Sequence, residues 1–308
     1  MGKLFLAYDN SEIQDGYFAQ LQRQINIYHI AKTLRMGFVI NHIVDVTVTQ
    51  LDNFQEPTEI TEYLNSMNAI YDFPSSESKP KFDEEIKLSN ISIFCILKLK
   101  IKCIMFRKNI LALIVNPYGL TERKYFLRPS KSIIKNFNLH NNLSEEKIVL
   151  HIRRGVQVDH VVPGEKTTRA LNDDYFADKL KDILDFDSNA KLYELVILTD
   201  APETTYSYLP ISKDKAKWES EFFANMKDKS VLIQGHKFEN LISVFPGTSR
   251  IIRGGDPQQA IDEMRSAKHF VMSRSSMSFI GAFLNERGTI YYPPNFWHKP
   301  LKNWIKCS

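Results

Sequence analysis

Residues 148–155 combine a predicted buried strand with cationic side chains that could bind an anion. The run Ile-Val-Leu-His-Ile is followed by Arg153, Arg154 and Gly155. Arginine is seldom buried without a partner, and its planar guanidinium can bind two phosphate oxygens at once. Open α/β sheets bind ligands at the carboxyl ends of their strands. The segment therefore predicts a diphosphate site, with an interdomain salt bridge as the competing interpretation.

Two further segments place polar groups where predicted strands end. Ser273-Arg274-Ser275-Ser276 follows an apolar strand and opens a helix, so its hydroxyls and free backbone N–H groups could bind an anion. Serine is also a common helix N-cap, which is the alternative interpretation. Thr199 and Asp200 end another strand. The carboxylate of Asp200 could accept from a ribose hydroxyl or a base, or could cap the following helix.

A loop near the start of the chain contains candidate general bases. Glu12 and Asp15 lie in this loop, and either carboxylate could deprotonate a substrate hydroxyl, although loop carboxylates are more often simply solvated. Gln20 and Arg23 follow on the first turns of a predicted helix and are candidate acceptor-binding side chains. The histidines show no ligand spacing, so the sequence predicts no metal site.

The composition excludes several functional classes. With 40 basic and 36 acidic residues the net charge is +4, which is too small an excess to predict a nucleic-acid partner. The three cysteines have no metal-ligand spacing and are typical of reduced thiols. The first residues lack the apolar run of a signal peptide, and lysines interrupt the most apolar stretch, Ile91–Val115, so it is no membrane span. We therefore expect a soluble, cytoplasmic protein.

Strands and helices alternate along most of the chain, which predicts mostly parallel sheets covered by helices. In the first half we predict a strand at 3–8, a helix at 17–36 capped by Gly37, and a strand at 38–43. Residues 52–88 read as a helix near 58–68 and then a loop, and 91–105 and 110–115 as strands. In the second half the predicted strands are 148–152, 194–199, 231–234, 250–252, 268–273 and 289–292. The predicted helices there are 173–186, 202–208, 213–227, 256–267 and 277–285.

These segments, taken together and in order, resemble the fucosyltransferase superfamily of α-1,2-, α-1,6- and protein O-fucosyltransferases. His151-Ile-Arg-Arg-Gly155 matches the family's His-x-Arg-Arg-Gly motif. The stretch 262–285 is similar to a late family segment in which an acidic-x-Met helix leads through a strand to a serine pair and a small-residue helix. Asp15-Gly16-Tyr-Phe-Ala-Gln20 is similar to an early glycine-rich loop that ends in Gln. The resemblance covers about residues 147–292 and is weaker before them.

The resemblance implies an α/β chain with two Rossmann-like domains facing a cleft, the GT-B type of glycosyltransferase. Residues 1–145 would be the acceptor domain and 146–292 the nucleotide-sugar domain. Residues 293–308 would form a tail that packs across a surface or back on the first domain. The implied reaction is an inverting transfer that needs no metal or other cofactor. It moves fucose from GDP-fucose to a hydroxyl of an oligosaccharide or glycoprotein.

The resemblance also implies roles for single residues. Arg153 corresponds to the arginine that contacts the donor diphosphate and is essential. The other donor-binding candidates are His151, Arg154, Asp200, Ser273, Arg274, Ser275 and Ser276. Inversion requires a base for the acceptor hydroxyl, for which Asp15 is our candidate, or assistance from the leaving phosphate. Glu12, Gln20 and Arg23 would bind the acceptor.

The sequence departs from the family pattern at several positions. Val156 stands where the family often has Asp, Arg274 replaces the usual Asn before the serine pair, and Phe279 and Ile280 replace Trp. These departures leave two alternatives open. One is a relative that uses another donor, such as UDP-xylose, and the other is a glycan- or nucleotide-binding protein without activity. The low glycine content and the missing anchor favour a bacterial or large-virus source.

Overall fold

The computed structural model describes residues 2–9, 17–43, 64–65, 67–69, 71, 81–90, 92–116, 134, 137, 146–153, 171–204, 206–208, 231–233, 235–254, 256–296 and 299–307. The chain divides into two compact units, residues 1–139 and 140–308. Each unit contains a parallel sheet with helices in its crossover connections. The predicted α/β fold with two Rossmann-like units is therefore confirmed.

The first unit contains a four-stranded parallel sheet in the order β2-β1-β4-β3. Its described elements are β1 (Leu4–Tyr8), α1 (Tyr17–Thr33), β2 (Gly37–Phe38), β3 (Glu84–Asn90), α2 (Ile93–Phe106) and β4 (Ile110–Asn116). All five residues of β1 are buried, as expected for a central strand of a sheet covered on both faces.

Two predictions in the first unit were wrong. Residues 84–88 were predicted as part of a loop but lie in β3, because an edge strand can expose alternate side chains and carry charges. Residues 93–106 form helix α2 rather than a strand. Ser92 caps this helix, since its Oγ accepts from the backbone N–H of Cys95 at 3.2 Å. The apolar run there is dense enough to hide its helical spacing.

The first helix ends earlier than predicted, and a different residue adopts the left-handed conformation that terminates it. Arg35, not Gly37, adopts the left-handed conformation after the helix, with φ of 54°. Gly37 lies instead in β2, where a Cβ atom would stand 2.1 Å from the ring of Phe5. Its missing side chain therefore allows close strand packing rather than a helix cap.

The second unit contains a six-stranded parallel sheet in the order β12-β11-β10-β5-β6-β9. The strands of this sheet are β5 (Lys147–Ile152), β6 (Glu194–Thr199), β9 (Ser249–Arg253), β10 (His269–Val271), β11 (Thr289–Tyr292) and β12 (Ile305–Lys306). Its described α-helices are α3 (Asp173–Phe186), α4 (Glu239–Ser243), α5 (Pro257–Ser266) and α6 (Ser276–Leu284). A short antiparallel pair, β7 (Tyr206–Tyr208) and β8 (Val231–Ile233), lies outside this sheet. The predicted helix at 202–208 is therefore wrong over β7.

The end of the chain belongs to the sheet of the second unit. Strand β12 pairs in parallel with β11. Before it, the buried ring of Trp304 packs edge-on against Phe279 of α6, with ring centroids 5.4 Å apart. The same indole lies beside Tyr292 of β11. The last strand therefore covers β11, which would otherwise be an open edge.

The order of the strands creates a topological switch point between β5 and β10. From β5 the chain continues to β6 and β9 on one side, and then returns to place β10 on the other side of β5. Ligands of open α/β sheets bind outside the carboxyl ends of the strands at such a point. The buried aliphatic residues of β5 and β6 and the inner face of α3 form the core beneath it.

A network of charged side chains, of which Lys147 is buried and the others are partly exposed, occupies the opposite, amino-terminal end of this sheet. Glu263 of α5 accepts from Lys147 at 2.5 Å and from Arg250 at 2.7 Å. Arg250 also donates to Glu194 at 2.7 Å. Burial opposes ionisation of Glu263, but the hydrogen bonds from Lys147 and Arg250 outweigh it and lower the pKa of the carboxyl group. This network joins the starts of three strands to α5.

None of the described helices has the length and apolarity that a membrane crossing needs.

Candidate functional site

Three of the predicted polar segments meet at the carboxyl edge of the second sheet. In the strand register Ile152 at the end of β5 lies beside Thr199 at the end of β6. On the other side of β5, Val271 of β10 lies beside Leu150. The residues that follow these strands are therefore neighbours, as the sequence predicts for strands of one parallel sheet.

Arg153 and Asp200 face each other across this edge. The Arg153 Nε atom lies 3.9 Å from the Asp200 Oδ2 atom, and the two side chains are 27% and 43% exposed. A pair at this distance and exposure is weakly coupled. Both side chains are partly exposed at this edge of the sheet, so both can contact a bound ligand.

The start of α6 follows β10, on the other side of β5, and provides hydrogen-bond donors at the same edge of the sheet. Ser275 is the N-cap, and its Oγ atom accepts from the backbone N–H of Met277 at 3.2 Å. The capping interpretation therefore holds for Ser275. Ser276, the first helical residue, is half-buried. The first turn of a helix carries backbone N–H groups without intrahelical partners and a partial positive charge, so this turn can bind an anion.

A buried hydrogen-bond cluster holds β5 to the start of α6. The Nδ1 atom of His151 lies 2.5 Å from Ser278 Oγ and 3.5 Å from Ser273 Oγ. The two hydroxyl oxygens lie 3.0 Å apart, and Ser278 Oγ also accepts from the backbone N–H of Ser273 at 3.2 Å. All three side chains are buried. The cluster thus fixes where the α6 turn stands relative to the end of β5.

His151 is neutral in the folded protein. Burial, followed by the charge of Arg153, lowers the pKa of its imidazole to about 3. A neutral imidazole bonded to two serine hydroxyls contributes no charge to a bound anion. The geometry therefore makes His151 a positioning residue for the α6 turn.

Arg274 is partly committed to the protein. Its Nε donates to the backbone carbonyl of Pro294 at 2.8 Å, which ties the site turn to the segment after β11. Burial lowers the pKa of its guanidinium, and the neighbouring Tyr175 opposes this shift. Arginine still remains charged at neutral pH.

The structure adds two residues to the site that the sequence patterns did not indicate, Ser278 and Arg253. Ser278 anchors His151, and its signal was a third serine on the first turn of α6. Arg253 ends β9, and its guanidinium donates to the carbonyls of Ala201 at 3.0 Å and His236 at 2.6 Å. Arg253 thus braces the loop that follows Asp200. The missed signal was an arginine at a strand end with a glycine close behind it, as in Arg153-Arg154-Gly155.

The acceptor candidates of the first unit lie partly within the described residues. Gln20 is fully buried in α1, and Arg23 donates to the hydroxyl of Tyr8, the last residue of β1, at 3.3 Å. Glu12, Asp15 and Arg154 lie outside the described residues. Asp9, a buried carboxylate that directly follows β1, was not selected and lies 3.5 Å from Lys87 Nζ.

Within the ranges that the structure describes, no group of three or more His, Cys, Asp or Glu side chains could hold a metal ion.

Comparison with known proteins identifies no family for the chain. No protein-family model matches the sequence, and no curated protein sequence matches it. Among solved structures, E. coli heptosyltransferase WaaC with ADP superposes with a TM-score of 0.43 and 10% identity over 99% of this chain and 92% of that chain. E. coli ADP-heptose LPS heptosyltransferase II superposes with a TM-score of 0.40 and 12% identity over 99% and 90% of the two chains. Likenesses of this degree do not establish an activity.

Proposed function

We propose that the protein is an inverting, metal-independent glycosyltransferase that uses a nucleotide-diphosphate sugar. One observation carries the proposal: Arg153, Asp200 and the first turn of α6 converge at the topological switch point of the second sheet. This is the place where open α/β sheets bind nucleotides. The matching order of motifs in the fucosyltransferase superfamily supports the same interpretation.

The charges of this edge suit the two ends of a nucleotide diphosphate. Arg153 and the amino-terminal turn of α6 both attract anions, so the diphosphate would lie between them. The carboxylate of Asp200 would repel phosphate but accepts hydrogen bonds from ribose hydroxyls. We therefore assign Arg153 and Ser276 to the diphosphate and Asp200 to the nucleoside, with His151 holding the α6 turn in place.

In the proposed reaction an acceptor hydroxyl oxygen attacks the anomeric carbon of the donor sugar. The new carbon–oxygen bond forms as the bond from that carbon to the diphosphate oxygen breaks, with inversion of configuration. The hydroxyl proton moves to a general base, for which Asp15 is our candidate, or to the leaving phosphate. Arg153 would stabilise the negative charge that develops on the departing diphosphate.

We favour GDP-fucose as the donor and a glycan hydroxyl as the acceptor, on the resemblance alone. The Nε of Arg274 is bonded to Pro294, but its guanidinium keeps the extra positive charge that departs from the family pattern. The departures at Val156, Phe279 and Ile280 keep a UDP-xylose-dependent enzyme as the second candidate.

Thermal shift with a panel of ADP, GDP, UDP and CDP and their sugars tests the proposal. A ligand at a hundred times its dissociation constant stabilises a protein by about 2.7 kcal/mol. We expect one nucleotide family to raise the melting temperature, and Arg153→Ala to abolish that rise. Preference for GDP would support the fucosyl donor, and preference for UDP would support the second candidate. If no nucleotide stabilises the protein, the proposed site is wrong.

Donor hydrolysis distinguishes an enzyme from a binding protein. The sugar nucleotide that stabilises the protein most should be slowly hydrolysed even without an acceptor, and Arg153→Ala should stop this. Binding without hydrolysis or transfer to any glycan acceptor would indicate that the site has lost its activity.

A further inference from the structure

Helix α2 of the first unit has two apolar faces, and only one of them is used in the core. Ile96 and Cys103 point inward and are 1% exposed. The opposite face presents large apolar side chains to solvent. Their exposed fractions are 74% for Phe94, 49% for Leu97, 55% for Ile101, 48% for Ile104 and 69% for Met105.

These five side chains form one continuous stripe, which we call the α2 stripe. Residues three and four apart lie on one side of a helix, and positions 94, 97, 101, 104 and 105 follow that spacing. The stripe runs from Phe94 to Met105 within this helix, so it is roughly 17 Å long. A contiguous apolar surface of this kind on a soluble protein marks an interaction site.

Basic residues flank the α2 stripe along its own helix, while Asp83 and Glu84 of the neighbouring segment contact Asn109 and Lys102. Residues 92–108 contain five basic residues and no Asp or Glu. Lys98 adjoins the stripe along the helix, and Arg107 and Lys108 follow its carboxyl end; all three are exposed. Lys102 and Lys100 bind Glu84 and the Leu34 carbonyl, respectively. The surface is therefore apolar in its centre and cationic at its rim.

We propose that the α2 stripe docks the first unit on the surface of an anionic lipid bilayer. A helix at a bilayer interface buries an apolar face at the boundary of headgroups and acyl chains, while flanking lysines contact anionic headgroups. The stripe lies on the convex surface of a helix and has cations at its rim. These cations complement the negative charge of the lipid headgroups that would surround the buried apolar side chains. A membrane-spanning helix needs about 20 apolar residues. Helix α2 is shorter than that, so we place it in the bilayer interface.

Vesicle flotation of the full chain tests this docking. Vesicles of phosphatidylcholine alone are compared with vesicles of equal parts phosphatidylcholine and phosphatidylglycerol. We expect binding to the anionic vesicles and a marked loss of binding at high salt, because salt screens the lysine contribution. Replacing Lys98 and Lys108 by Glu should weaken binding by about fivefold or more for each residue.

A matched pair of double variants separates the α2 stripe from exposed apolar residues in general. Phe94→Ser with Met105→Ser should lower binding by about tenfold or more, because two large side chains no longer enter the bilayer. Phe186→Ser with Leu192→Ser removes apolar residues of the second unit that are 79% and 75% exposed. This control should bind as the wild type does.

Several results would overturn the docking proposal. The wild type could fail to bind anionic vesicles. The Phe94→Ser, Met105→Ser variant could bind as well as the wild type, or the control variant could lose as much binding as that variant does. Light scattering that shows a dimer of the wild type and a monomer of the Phe94→Ser, Met105→Ser variant would assign the stripe to a second copy of the chain. The test does not depend on the nucleotide site, so either proposal can fail alone.

Discussion

Two arginines at opposite ends of the second sheet should respond to substitution in opposite ways. Arg153 lies at the carboxyl edge, where its contact with Asp200 is long and partly exposed. Arg250 lies at the amino edge, where it donates to Glu194 and Glu263 at 2.7 Å each. We expect Arg153→Ala to remove activity and leave stability nearly unchanged. We expect Arg250→Ala to do the reverse.

The structure sets the size of each effect. The partly exposed Arg153–Asp200 pair should contribute about 1 kcal/mol or less to the free energy of unfolding. Removing a group that stabilises charge in a transition state lowers turnover by about a hundred- to a thousandfold. Arg250 is itself 36% exposed, but its partner Glu263 is only 12% exposed. Its loss should cost about 2 kcal/mol, a value reduced for the exposure of the Glu194 contact.

Denaturation and kinetics on the same preparations measure both effects. All three tryptophans lie in residues 140–308, so tryptophan fluorescence reports the unfolding of that unit. Turnover is measured with the sugar nucleotide selected by thermal shift. Arg153→Lys should recover part of the activity, because the charge returns without the planar fork. Wild-type turnover in Arg153→Ala, or a loss of stability equal to that of Arg250→Ala, would refute the assignment of Arg153 to the donor.

Two further predictions concern the elements that position the site. The pKa of His151 falls to about 3 on folding, so below pH 6.5 the unfolded state binds a proton that the folded state does not. The free energy of unfolding should therefore fall by about 2 kcal/mol between pH 7 and pH 5. Urea denaturation at both pH values should show this loss in the wild type, and it should be smaller in His151→Gln; an equal loss in both would contradict the assignment. A Cβ atom on Gly281 would stand 2.6 Å from the Cβ atom of Met264, so Gly281→Ala should destabilise the second unit by about 1–2 kcal/mol despite its better helix propensity. The same fluorescence assay checks this, and an unchanged or raised midpoint would show that α5 and α6 are not in such close contact.

Local sequence patterns predicted most of the strands and helices of the second unit. Its central strands are continuous aliphatic runs because both faces of a parallel sheet are buried. The caps of its helices are also local: Asn172 accepts from Tyr175 N at 3.1 Å, and Asp256 accepts from Gln258 N at 2.9 Å. Capping depends on residues two or three positions apart, so it needs no tertiary information.

The errors fell where burial depends on distant segments. Strand β3 carries Glu84 and Lys87 because it lies at the edge of its sheet, and the sequence alone does not show which strand is at an edge. Helix α2 was predicted as a strand because its outer face is apolar as well as its inner face. An amphipathic pattern appears in a sequence only when one face of the helix is polar, and this helix has no polar face.

The amino-acid sequence alone predicted which residues lie at the strand ends, because each of them directly follows an apolar run. These residues are Arg153, Asp200 and Ser273–Ser276. The sequence did not predict what each side chain does there. Tertiary packing separated Arg153, which remains accessible, from Arg274, whose Nε is bonded to Pro294. It also placed His151 against Ser278, 127 positions away along the chain. Such contacts follow from the order of strands in the sheet, and that order is set by long-range packing that no local pattern encodes.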